Sequence, residues 1–168
     1  IVRFPRSPSP GSLNTIPFAD VTINEVITRR ATGGAIELQN TSEYPQHIGG
    51  WWLSTDERNP RQFRIADHTI LPAGGYRVFD AATLSESVGG AGTGLVLLPG
   101  QVQTIYLSGV TTGGALSGLR SQMKVGVSEP DQSAGLWETS LGFDSPLMSV
   151  TTLGASNSAP RVGPVVIN

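Results

Sequence analysis

Residues 21–28 read V-T-I-N-E-V-I-T and residues 35–42 read A-I-E-L-Q-N-T-S; H-I-G-G-W-W-L-S-T-D follows at 47–56 and I-L-P-A-G-G-Y-R-V-F at 70–79. In the first run Val and Ile alternate with Thr and Asn over Val21 to Val26, and Ala35 to Asn40 alternates in the same way. A period of two is the signature of a half-buried strand. Gly33-Gly34, Gly49-Gly50 and Pro72-Ala73-Gly74-Gly75 separate the runs, and such clusters turn the chain between strands. Shorter strands are expected at Gln62–Ile65, Thr69–Leu71, Tyr76–Phe79, Leu95–Leu98, Thr104–Leu107, Met123–Val127 and Leu136–Thr139, with a short extended piece at His47-Ile48. Only Ala81 to Val88 hints at a turn of helix, and Glu86 to Gly94 reads as a mobile, Gly-rich loop. Strands at intervals of roughly 8–12 residues define an all-β class, an antiparallel sandwich or barrel.

The four runs contain I-N-E-V, I-E-L-x-N, G-W-x-L-S and L-P-A-G-G-Y, in that order. In this they resemble the lamin tail domain, and among its members the bacterial modules of large exported proteins. The resemblance is densest over Val21 to Phe79 and continues more loosely through Gln103–Ser108 to about Leu141. It implies an immunoglobulin-like antiparallel β-sandwich that serves as a binding or spacer domain and is not an enzyme. Lamin tails engage proteins and nucleic acid, but the eleven Lys and Arg here are dispersed and the net charge is −2, so nucleic acid is not an expected partner.

Composition narrows the remaining classes. With 21 Gly and 12 Pro against 14% charged residues, the chain is rich in turns. No apolar run is long enough to span a bilayer as a helix, so membrane insertion is not expected. Cysteine is absent, which removes disulfides and thiolate metal sites. The Thr/Ser/Gly-rich, lightly charged composition leans towards an exported protein.

A pattern recurs at long range. Gly11, Asn14 and Pro17 precede V-T-I-N at 21–24, and Gly154, Asn157 and Pro160 precede V-V-I-N at 165–168. Long-period self-similarity points to a tandem array. The expected organisation is a Pro/Ser-rich linker at 1–20, one domain at 21–150, and a linker with the start of a following module at 151–168. Partners would be neighbouring modules, other proteins or cell-surface glycans.

Individual residues carry further expectations. Glu37 should point outward or sit at a sheet end, because a buried carboxylate needs a partner. Asn40 should hold a turn through its amide. Trp51 and Trp52 must face opposite sides of a strand, with Trp51 beside Leu53 in the core and Trp52 on the face of Ser54. An outward Trp52, with Asp56, Arg58 and Asn59 in the adjacent polar loop, is the candidate ligand site, carbohydrate being one candidate ligand; a loop covering Trp52 is the competing reading. Clustered oxygens at Thr55–Asn59 with Asp67 and His68 do not match a calcium loop. His47 and His68 lack the spacing of a zinc pair, so neither metal nor cofactor is expected. No G-x-S-x-G elbow occurs, and the Gly89–Gly94 run lacks the Lys of a phosphate loop. Glu129, Asp131 and Glu138 are the carboxylates that glycoside chemistry would draw on, and a turn accounts for them more simply.

Overall fold

In the computed structural model, which describes residues 20–86 and 92–162, the alternating runs become antiparallel strands in two four-stranded sheets. The elements in order are β1 (Val21–Ile27), β2 (Ala35–Asn40), β3 (Gln46–His47), β4 (Trp52–Ser54), β5 (Phe63–Arg64), β6 (Ile70–Leu71), β7 (Tyr76–Asp80), α1 (Ala81–Ser85), β8 (Gln103–Val110), β9 (Leu116–Val125), β10 (Ser133–Gly135), β11 (Trp137–Thr139) and β12 (Gly142–Asp144). One sheet runs β10-β1-β2-β7 and the other β5-β4-β8-β9; β3-β6 and β11-β12 are separate two-stranded ribbons. The fold is an immunoglobulin-like β-sandwich.

The core lies between the two four-stranded sheets. Ile23, Val26, Ile36 and Leu38 from the first meet Leu53, Phe63, Ile105, Leu107, Met123 and Val125 from the second. Phe63 and Phe79 pack edge to face, with ring centroids 5.6 Å apart. Ser121 crosses between the sheets, its hydroxyl accepting from the Ile23 N–H at 3.1 Å.

β1 departs from the half-buried expectation: all seven of its residues are buried. Its outer face is covered by the chain's own residues 146–161. The Gly135 N–H donates to Pro146 O, Met148 N–H to Ser133 O, and Arg161 N–H to Leu147 O. Leu147 bridges Ala134 and Met148 bridges Pro160, so this segment extends the sheet beyond β10. Of the described residues 151–162, expected as linker, Thr151, Thr152, Gly154 and Asn157 bond to the sandwich, while Val162 is exposed.

Other departures have local causes. Leu95 and Leu97 are buried while Val96 and Leu98 are exposed, as alternation requires, yet this stretch forms no strand. Its anchor is α1, through the Leu95 N–H donating to Leu84 O at 2.8 Å. The strand expected at Met123–Val127 begins earlier, at Leu116, and ends at Val125. The linker at 1–19, most of the Gly-rich loop at 87–91, and the V-V-I-N strand at 165–168 lie outside the described residues.

Candidate functional site

Trp52 does not offer an open face to a ligand. It shares the face of Ser54, as its parity in β4 requires, but it is only 7% exposed. The Arg61 guanidinium stands 5.9 Å from its ring centroid, and Gly92 approaches so closely that a Cβ there would lie 3.4 Å from Cζ3. Trp51 is half-buried against the core beneath Arg120, whose guanidinium is 5.5 Å from the ring. Asp56, Arg58 and Asn59 are exposed, and their loop is organised around its own bonds. The Ser54 hydroxyl donates to Asp56 O and Asn59 O, and the Arg58 N–H donates to Asp56 Oδ1 at 2.9 Å. The four residues thus form a covered Trp beside a closed polar turn.

The remaining candidates are dispersed. Asp67 accepts from Arg64 at 2.6 and 3.2 Å, and that pairing holds its carboxyl below the usual range. Glu129 pairs with Arg161 at 2.9 Å, Asp131 sits in the left-handed region at φ 58°, and Glu138 is exposed on β11. Among the described residues no three His, Cys, Asp or Glu come together in a way that could hold a metal. Asn40 does hold a turn: its amide donates to Tyr44 O, Leu71 O and Pro72 O, and its Oδ1 accepts from the Ser42 N–H and hydroxyl.

The densest polar cluster is built by Asn24, Glu25 and Glu37. The register of β1 against β2 slips between Ile23, opposite Leu38, and Glu25, opposite Glu37. Asn24 is the extra residue of this bulge, so it and Glu25 together face Glu37. All three are buried, and both carboxylates are fully covered. Glu37 does point to the outer face of its sheet, as expected; it is buried because residues 146–161 lie over it.

Every carboxylate oxygen accepts from the chain itself. Glu25 Oε1 takes the Ser133 hydroxyl at 2.5 Å and the Thr152 N–H at 2.9 Å. Its Oε2 takes the Thr152 N–H and hydroxyl at 3.2 and 3.1 Å. Glu37 Oε1 takes Asn24 Nδ2 at 2.8 Å, and Oε2 takes the Gly154 N–H. Asn157 completes the cluster, donating from Nδ2 to Asn24 Oδ1, Asn24 O and Leu136 O at 3.0–3.1 Å. At the edge, Gln39 Nε2 donates to Tyr76 Oη, which lies 3.2 Å from the Ser156 hydroxyl.

No cation appears among these partners. Loss of water holds the Glu37 carboxyl above its usual range; the bonds from Asn24 and Gly154 act against this, and the nearby Glu25 charge adds to it. Chemically the arrangement is a clamp. Each of its four carboxylate oxygens accepts at least one N–H or O–H from the chain, and both groups are fully buried while the segment stays in place.

Sequence reasoning placed Asn24, Glu25 and Glu37 in shared motifs without joining them to Thr152, Gly154 and Asn157. The available signal was the recurring Gly, Asn and Pro at 154, 157 and 160.

Comparison with known proteins is consistent with this geometry. No curated protein and no solved structure matches the chain. The family model described as Lamin Tail Domain matches residues 14–144, taking in β1 through β12 and hence both carboxylates of the clamp. The chain belongs to the lamin tail domain family.

Proposed function

We propose that this domain is a non-catalytic structural or protein-interaction module, one repeat of a larger exported bacterial protein, in which the docked segment fixes the path of the chain towards the next module. One observation carries the reading: the buried carboxylates of I-N-E-V and I-E-L hold the chain's own residues 152 and 154. A catalytic pair would keep an oxygen open to substrate, and a flexible tether would leave Thr152 and Gly154 to water. The pattern supports the repeat. Gly154, Asn157 and Pro160 stand in the clamped segment, and Gly11, Asn14 and Pro17, spaced from one another in the same way, precede V-T-I-N with one residue fewer between Pro and Val than before V-V-I-N. Residues 11–17 would then be the counterpart segment, suited to the clamp of a preceding module. Neighbouring modules are the first partners on this reading.

The test is a longer chain that continues through a second module beginning at V-x-I-N. Residual dipolar couplings should fit one alignment tensor for both modules. Two modules tumbling independently would overturn the fixed path. A hydrolase screen that finds turnover abolished by Glu25→Gln or Glu37→Gln would overturn the non-catalytic role.

A further inference from the structure

We infer that the Asn24–Glu25–Glu37 clamp is a receptor for a short peptide, and that its partner in trans is a second copy of this chain, through residues 9–17. On the repeat reading, on which this rests, the clamp's ligand has a definite sequence. Four positions of the docked segment are selected by the clamp's geometry. Residue 152 needs a hydroxyl as well as an N–H, because Glu25 Oε2 accepts from Thr152 Oγ1 at 3.1 Å. Residue 154 needs to be glycine: it stands at φ 91° while its N–H reaches Glu37. Residue 157 needs an amide, since Asn157 accepts from Asn24 Nδ2 at 3.0 Å and donates to Asn24 O and Leu136 O. Residue 158 needs a hydroxyl to fold the segment on itself, with Ser158 Oγ accepting from the Val150 N–H at 3.1 Å and donating to Val150 O at 2.7 Å.

Residues 9–17 repeat this set in the same order. Ser9, Gly11, Asn14, Thr15 and Pro17 stand where the docked segment has Thr152, Gly154, Asn157, Ser158 and Pro160. The match of Gly, Asn and Pro thus extends to both hydroxyl positions, and each of those has a bond that requires it. Pro8 and Pro10 fall at Thr151 and Leu153, and no bond among the described residues uses the N–H of either. Two hydroxyls have no counterpart: Thr151, which bonds Asp131 O, is matched by Pro8, and Ser156, beside Tyr76 Oη, by Leu13. Neither segment carries an acidic residue, which the two buried carboxylates would repel. Because the segment and its receptor are different surfaces, the contact between copies is head-to-tail. The chain's own segment is tethered and competes at an effective concentration on the order of millimolar, so a second copy enters where that segment is displaced.

The experiment is an NMR titration of the ¹⁵N-labelled full chain carrying Gly11→Val and Gly154→Val, so that neither of its own segments fits the clamp. The probe is an unlabelled peptide of residues 7–19. Saturable shifts should map to Asn24, Glu25, Glu37 and Ser133, with binding about tenfold tighter than to the parent chain, whose own segment competes. A peptide with Gly11→Val should bind about tenfold more weakly, the usual cost of forcing a side chain into the left-handed region. Asn14→Asp in the peptide, which removes a donor and sets a charge beside the carboxylates, should weaken it by about as much. If the glycine variant does not fold, a chain with Asn14→Ala and Asn157→Ala, which leaves the glycines in place, takes the same peptide. The inference is overturned if no saturable shifts appear up to roughly 1 mM peptide. It is also overturned if the shifts map elsewhere, or if the Gly11→Val and Asn14→Asp peptides bind as well as the parent peptide. Such a result, with both modules of the longer chain sharing one alignment tensor, would leave the fixed path standing and remove only recognition in trans.

Discussion

Glu37 carries a carboxylate cut off from water, with Asn24 and a backbone N–H as its partners and Glu25 as its cross-strand neighbour. Its pKa is raised, and the consequence for stability has a definite sign. At low pH the group is protonated in folded and unfolded chains alike, and the fold carries no charge penalty. As pH rises past the ordinary value of 4.5 the unfolded chain ionises first, and stability falls until the folded carboxyl has ionised too. Asp80 acts in the opposite sense: it caps α1 by accepting from the Thr83 N–H, which lowers its pKa, so its contribution is lost in acid. Glu37→Gln should therefore flatten the decline in stability above pH 4.5 while leaving the acid limb in place, as read from urea melts across pH 3–8. An unchanged slope would show that Glu37 is not the buried charge responsible.

At the scale of elements, the segment 146–161 is held by shape as well as by charge. Gly135 in β10 lies beneath it: a Cβ there would stand 2.7 Å from Met148 Cε and 2.9 Å from Asn157 Nδ2. Gly135→Ala should cost roughly 1–3 kcal/mol, as overpacking of a filled site does. The measurement is urea unfolding, and a variant as stable as the parent would mean that the segment moves aside freely. Trp52→Ala should cost about 3–5 kcal/mol, the usual loss for a large buried aromatic. Near-parental stability would instead mark Trp52 as a surface side chain. These elements also divide what could be read from the sequence from what could not. The parity of Trp51 and Trp52, the turn at Asn40 and the strands β1, β2 and β7 follow from local alternation and turn chemistry, and were legible. The burial of Glu37 was not, because its cover arrives from residue 154, far along the chain. The covering of Trp52 by Arg61 and Gly92 likewise depends on loops whose path no period describes. The first half of β9 was missed because Leu116–Arg120 is largely exposed and interrupted by Gly118, so it lacks a clean apolar alternation.

For the whole molecule, the two sheets form a sandwich of the kind that the family implies, and the polar residues of its motifs turn outward onto a strap of the same chain. I-N-E-V supplies Asn24 and Glu25, I-E-L supplies Glu37, and L-P-A-G-G-Y supplies Tyr76 beside Ser156. On this account the motif carboxylates have a mechanical role: they hold the strap, and the strap closes the outer face of β1. Native-state hydrogen exchange at the Thr152 and Gly154 amides tests this most directly, since these two N–H groups are the donors to Glu25 and Glu37. The account predicts that both exchange far more slowly than exposed loop amides such as Gly113 and approach the protection of the β1 core. Exchange at loop-like rates in the intact chain would contradict it.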